Sequence, residues 1–343
     1  MHELLNVLYV QAQGTTLRLE HDAVRIEQEG ELKLRLPLAR LSGIVAIGQV
    51  TISSRLLARC GEDGRGVVWL DYRGRFLARV EGRVRGNVLL RRAQHLALSD
   101  PDRATLIARQ ITAAKIQNSR GVLLRAARDA GNAADRTALQ EAAARLAAAL
   151  DRLRSAPSIA QIRGEEGEAA RSYFGAFTHM VRGDRVSFSM DGRSRRPPRD
   201  RLNAVLSFLY SVLRAECETA CEAVGLDPQV GYLHALRPGR PALALDLLEE
   251  FRAPVADRLA LTLINRQQVA AADFDEHPGG AIMLNESGRK TVITAYQQRK
   301  QDEIPHRVLD RKIPLGLVPF IQARLLARHL RGDLVDYPPF VSR

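Results

Sequence analysis

Near residue 80 the hydrophobic pattern of this chain changes period, and that change limits what the chain can fold into more than any other feature. Before it, apolar residues occupy alternate positions: Leu17 and Leu19 in TTLRLE, Val24 and Ile26 in AVRIEQ, and Leu32, Leu34, Leu36 and Leu38 in ELKLRLPLARL. Alternation sets one side of a strand on a core and the other in water. VVWLDYRGRFLARV reads as a hairpin turning at Arg73 and Gly74, and SSRLLARCGEDG as a short helix.

From SDPDRATLIARQ onward the apolar spacing is helical, with Ser99 or Asp100 as N-cap and Pro101 at the first helical position. Further helices fall in DRTALQEAAARLAAALDRLRSA, RDRLNAVLSFLYSVLRAECETACEAVG and PLGLVPFIQARLLARHLRG. HPGGAIMLNESGRKTVITAY interrupts them with a small hairpin, expected to turn between Asn285 and Gly288. Strands first and helices after predict an α+β protein. Its parts are an N-terminal antiparallel β-sandwich-like domain over 1–82, a linker over 83–98 and a mainly α-helical domain over 99–343.

The formal net charge of +12 favours an anionic partner, nucleic acid before membrane, although a basic but otherwise ordinary enzyme is the alternative. No window approaches the roughly 18 uninterrupted apolar residues of a membrane span. The start, MHELLNVLYVQAQG, lacks the basic and apolar regions of a signal peptide. A cytoplasmic location is expected. Cys60, Cys217 and Cys221 fit a reducing compartment, and without a CxxC pair they read as small buried hydrophobes rather than zinc ligands. The phosphate loop GxxxxGK[ST], the dinucleotide motif GxGxxG, the zinc motif HExxH and the nucleophile motif GxSxG are all missing.

Three stretches carry possible chemistry. RGEEGEAARSYF, residues 163–174, reads as helix although Gly164 and Gly167 each cost a helix interior about 1 kcal/mol relative to alanine. Ala170, Tyr173, Phe174 and Phe177 share an apolar face that Glu166 continues. An inward carboxylate must be neutralised, paired or bound to a cation; a first-turn glutamate in the helix dipole is the even alternative. The glycines point to close approach of another helix or a phosphate backbone.

GYLHALRPGRPALALDLLEEFR, residues 231–252, places His234 before a turn at Pro238 and Gly239 and a helix after Pro241. Leu247, Leu248 and Phe251 face inward, while Asp246, Glu249 and Glu250 fall on another side. A lone histidine is more often structural. Beside an acidic helix face and a second inward glutamate, it suits magnesium or manganese with open water positions rather than structural zinc. The third stretch, RGDRVSFSMDGRSRRPPRDRLNAVL, holds seven arginines against three aspartates between Arg182 and Arg201. Pro197 and Pro198 extend its backbone, and its arginine forks match phosphate oxygens. A solvated charged loop is the alternative.

These three stretches, in this order after a β-rich start, resemble the CRISPR-associated integrase family, Cas one. The tail GRKTVITAYQQRKQDEIPH…PLGLVPFIQARLLARHLRGDLVDYPPF is similar too, closest to the I-C subtype. The resemblance covers essentially the whole chain. It implies a metal-dependent DNA integrase or endonuclease of CRISPR adaptation, which inserts short duplexes into the array by attack of 3′-hydroxyls on phosphodiesters at repeat ends. It implies Mg2+ or Mn2+ held by the catalytic residues Glu166 (rather than Glu165), His234 and Glu249, with Asp246 as supporting acid. Many members carry aspartate where Glu249 stands. Arg171, Arg252 and Tyr210 match positions near the family's active site; Arg195, Arg196, Arg237 and Arg240 join them as candidate DNA contacts. The implied partners are spacer-precursor and repeat DNA, a second copy of the chain through the β domain, and a small ferredoxin-like protein, Cas two. On this reading the glycines let the Glu166 helix approach the Glu249 helix, with His234 between. A general nuclease on branched DNA and a non-catalytic DNA-binding scaffold are the rival readings.

Overall fold

A computed structural model describes residues 7–72, 74, 76–80, 82, 87–194 and 197–342. The chain divides into two compact units. One is built on the N-terminal strands with residues 293–304 and 313–317, the other on most of the helices.

The N-terminal unit contains strands β1 (Val7–Val10), β2 (Thr15–Glu20), β3 (Ala23–Gln28), β4 (Glu31–Pro37), β5 (Gly43–Ile47) and β6 (Val50–Ile52). Helix α1 (Ser54–Asp63) and strands β7 (Gly66–Leu70) and β8 (Phe76–Val80) follow. They form two four-stranded sheets, ordered β1-β5-β7-β8 and β4-β3-β2-β6. Leu17, Val24, Ile44, Leu56, Cys60 and Val67 meet in one core, so the alternating residues of both sheets bury the same side. The α+β architecture is as expected, but pairing is mixed rather than antiparallel throughout. β2, β3 and β4 are antiparallel, as are β7 and β8, whereas β1 with β5, β5 with β7 and β2 with β6 run parallel. The helical connection α1 permits one of these parallel pairs. β4 departs from the alternation argument too: it lies at a sheet edge, and Leu32 and Leu34 are 46% and 49% exposed. The β7–β8 hairpin forms with Gly74 at φ +74°, while Arg73 lies outside the described residues.

Helices α2 (Val88–Ser99), α3 (Pro101–Arg128), α4 (Ala133–Arg154), α5 (Ile159–Gly175) and α6 (Arg201–Val224) come next. Much of the stretch read as a linker is therefore helical. Side-chain caps start these helices: Asp100 accepts from the N–H groups of Asp102 and Arg103, and Asn132, Ser158 and Asp200 cap α4, α5 and α6. Gly225, left-handed at φ +92°, ends α6. Then come α7 (Ala242–Phe251), α8 (Arg258–Asn265), β9 (Phe274–His277), β10 (Ala281–Leu284), α9 (Glu286–Lys300), β11 (Glu303–His306), β12 (Arg311–Pro314) and α10 (Val318–Arg331). A small hairpin is present, but it turns at residues 278–280, where Gly279 and Gly280 have φ +86° and +75°. Asn285 instead caps α9, its Oδ1 accepting from the Gly288 N–H at 3.0 Å. The sequence offered two glycine-bearing turns a few residues apart, and the Pro-Gly-Gly triplet supplies the left-handed geometry. The long helix α3 packs against α4, α5 and α7, and the last two of these carry the acidic residues singled out above.

Candidate active site

Helix α7 is buried nearly all round, acids included. Asp246, Glu249 and Glu250 are 0%, 2% and 0% exposed, so they do not form one acidic face. Each turns to a different set of partners, which is how three neighbouring carboxylates avoid repulsion.

Asp246 organises the segment that carries His234. Its Oδ2 accepts from the Tyr232 and Leu233 N–H groups at 2.6 and 3.0 Å, and its Oδ1 from the His234 N–H at 2.9 Å. The same Oδ1 lies 2.7 Å from His234 Nδ1. A glycine makes this wrap possible: a Cβ at Gly231 would stand 2.7 Å from Asp246 Oδ2 and 2.6 Å from the Ala242 carbonyl carbon. From α5, Arg163 Nε donates to the Leu233 carbonyl at 2.6 Å and fixes the other side. Nδ1 is thus held by a carboxylate, which fixes the ring's orientation. Nε2 lies 3.8 Å from Glu249 Oε1.

Glu249 and Glu166 meet over one cation. The Lys115 ammonium, from α3, contacts Glu166 Oε1 and lies 2.6 Å from Glu249 Oε2. Glu249 Oε1 is held by Arg252 at 3.1 Å. Burial alone would raise the Glu249 carboxyl, but Arg252, Lys115 and His234 outweigh it and hold it down at about 2. Glu249 Oε2 is buried with the ammonium at ion-pair distance but no aligned hydrogen bond. Among the described residues, no three His, Cys, Asp or Glu side chains stand ready-gathered as metal ligands; here the ammonium lies between two of the acids. Glu165 points elsewhere, to Arg152 at 2.9 Å.

Below this cluster lies a second layer. Arg252 stacks on the Tyr210 ring at 4.8 Å, and Arg193 approaches the same ring at 5.2 Å. Tyr210 and Tyr173 donate to the two oxygens of Asp257 at 2.5 and 2.9 Å. Burial pushes Asp257 up to about 6, against the pull of those hydroxyls and Arg252. Residues Arg252–Asp257 form a π-helical turn between α7 and α8. It contains Pro254, whose missing N–H cannot sustain an α-helical ladder. Behind α7, Glu250 accepts from the Tyr337 hydroxyl and the Phe340 N–H, each at 2.6 Å, and from Gln322 at 3.2 Å.

The structure thus brings Glu166, His234, Glu249, Asp246, Arg252 and Tyr210 together. Arg171 and Arg237 are solvent-exposed on α5 and on the turn after His234. The N–H of Arg240 closes that turn on the Arg237 carbonyl at 3.0 Å. Arg195 and Arg196 lie outside the described residues. Of the two expectations for the glycines of α5, approach of another helix is overturned: a Cβ at Gly164 or Gly167 would meet nothing within 4 Å, so neither seats a neighbouring helix. Sequence reasoning missed Lys115 and Asp257. Lys115 stands four residues after Ile111 and four before Ser119, both buried, but that burial is visible only in the structure.

The chain matches the family described as CRISPR associated protein Cas1 over residues 8–298. It is 58% identical over 343 residues to the CRISPR-associated endonuclease Cas1 1 of Moorella thermoacetica, covering 100% of each chain. Its fold is similar to that of a casposase bound to integration product, with a TM-score of 0.83 at 22% identity over 97% of this chain and 93% of that one. It also resembles a chain of a Cas6-RT-Cas1–Cas2 complex, with a TM-score of 0.83 at 22% identity over 99% of this chain and 36% of that one. By the family match and the full-length relative, this chain belongs to the Cas1 family of CRISPR-associated endonucleases.

Proposed function

We propose that this chain is a metal-dependent DNA integrase and endonuclease of CRISPR adaptation, with Glu166, His234 and Glu249 as ligands of Mg2+ or Mn2+. One observation carries the reading: two glutamates 83 positions apart share a single cation, and the Nε2 of an imidazole faces one of them at 3.8 Å. The donor set fits a hard divalent ion. Glu249 Oε2 is a buried acceptor without an aligned hydrogen bond. His234 has its other nitrogen held by a carboxylate, the usual support of a ligating histidine. Asp246 is occupied by three backbone N–H groups and the ring, which suits a supporting acid rather than a ligand.

When bound, the ion supplies Lewis acidity at the scissile phosphate. The chain's own residues do the rest. Asp246 fixes the His234 tautomer. Arg252, braced on Tyr210, holds Glu249 in place. Arg171, Arg237 and Arg240 offer positive charge to the DNA backbone, which sets orientation rather than sequence. In strand transfer the 3′-hydroxyl oxygen bonds to phosphorus, the repeat's own 3′-oxygen leaves, and one proton passes from attacking to leaving oxygen through solvent.

Spacer-precursor and repeat DNA, a second copy and a small ferredoxin-like protein are the proposed partners. The exposed Leu32 and Leu34 on edge strand β4 support pairing of two copies through the β domain over 1–82. The likeness to a chain from a Cas1–Cas2 complex supports the small partner. The tail motifs support placement nearest the I-C subtype. The deciding experiment is joining of a labelled duplex to a supercoiled, repeat-bearing plasmid, with Mg2+ or Mn2+ and the small partner. Joining that is lost in Glu166→Ala and His234→Ala, with DNA binding kept, is expected. Cleavage without joining would favour a general nuclease; joining by both variants would remove the metal-ligand assignment.

A further inference from the structure

Only five lysines stand among the 51 basic side chains of this chain, and one of them, Lys115, lies between the two carboxylates of the candidate active site. We propose that Lys115 is a resident counter-ion. Its ammonium holds Glu166 and Glu249 together in the metal-free protein and leaves that position when a divalent ion takes it. This rests on the ligand set proposed above.

Glu166 and Glu249 are carried by different helices, α5 and α7, and like charges so placed push apart unless a cation joins them. Arg252 serves the other oxygen of Glu249, at 3.1 Å. The Lys115 ammonium touches both Glu166 Oε1 and Glu249 Oε2 and so fills the gap between the two carboxylates. A compact ammonium can occupy such a gap, whereas the planar fork of arginine needs more room. That gap is also where an ion shared by the two acids would sit. An ammonium and a divalent cation on the same oxygens repel at contact distance, so the two occupancies exclude each other. A small pocket lined by Ala170, Phe174, Tyr210, Arg252 and Asp257 adjoins Lys115, whose flexible stem can take the ammonium to another position.

The test is calorimetric titration of Mn2+ into the full chain as wild type, Lys115→Met and Glu166→Gln, with thermal unfolding measured with and without Mn2+. Lys115→Met is expected to bind Mn2+ about tenfold tighter or more, because charge-assisted contacts need not first be broken. Its loss of stability should largely vanish once Mn2+ is bound. Equal or weaker binding by folded Lys115→Met overturns the proposal. Glu166→Gln is expected to weaken binding; if it binds Mn2+ as the wild type does, the ligand set is wrong and the counter-ion idea falls with it. If Lys115→Met does not fold, amine acetylation of the wild type read by mass spectrometry decides. Labelling at Lys115 should rise severalfold on adding Mn2+ while exposed Lys33 and Lys290 stay constant. An unchanged Lys115 overturns the proposal.

Discussion

Asp246 grips His234 at two points, its Oδ1 lying 2.9 Å from the backbone nitrogen and 2.7 Å from ring Nδ1. The histidine's tautomer and its position therefore depend on one buried carboxylate. Asp246→Asn keeps the volume but removes the charge. It is expected to lower Mn2+ affinity by about 10- to 100-fold, the usual cost of losing a ligand's outer support. Calorimetric titration of the variant checks this.

Glu249 and Glu166 share a cation but differ in burial, with side chains 2% and 25% exposed. Glu249→Gln leaves Arg252 and Lys115 short of a partner inside the protein and should cost about 2–4 kcal/mol of stability. Glu166→Gln should cost less than about 1 kcal/mol. Denaturant unfolding of the metal-free proteins measures both, and equal losses would contradict the burial argument.

Gly164 and Gly167 have open space where a Cβ would point. Gly164→Ala and Gly167→Ala should each stabilise the protein by about 0.5–1 kcal/mol through helix propensity alone. A raised thermal midpoint checks this. Strand joining that falls in the stabilised variants would mark this face of α5 as a seat for DNA.

Tyr337 donates to Glu250 at 2.6 Å and ties the last residues to the back of α7. Burial pushes Glu250 up to about 8, against that hydroxyl, the Phe340 N–H and Gln322. Tyr337→Phe removes a buried donor and should cost about 1–3 kcal/mol. Chemical denaturation reads the loss.

Asp257 titrates at about 6 in the folded chain, above the roughly 3.9 of an unfolded aspartate. Between those values the native state binds more protons than the unfolded one, so this group's contribution to stability grows as pH falls and is least above pH 6. Compared with Asp257→Asn, the wild type should gain about 2 kcal/mol between pH 6.5 and 4.5. Unfolding of both proteins across that range tests the sign.

The strands and helices were legible because their apolar residues recur at periods of two and 3.6, and because Asp100 and Pro101 mark the start of α3 chemically. Strand direction was not, since the parallel pairing of β1 with β5 depends on distant segments that no local pattern records. At the site, Glu166, His234 and Glu249 could be named through a family resemblance. Lys115 could not, because a single lysine on a helix reads as solvent-facing until the carboxylates of two other helices are placed beside it. For helix packing the glycine argument chose the wrong pair: within this chain a close approach happens at Gly231, where backbone crosses the start of α7, and periodicity does not register a crossing.

Arg252 and Asp257 both reach Tyr210, one at the ring face and one at the hydroxyl, across a π-helical turn. At 3.6 residues per turn, five positions of ordinary α-helix would rotate the second side chain about 140° away from the first. The pairing is thus a matter of phase, written in the spacing of the chain and not in the identity of the intervening side chains. Removing one residue such as Ala253 would delete almost no chemistry, yet it would turn everything downstream out of step with α7 and leave two tyrosine hydroxyls without their acceptor.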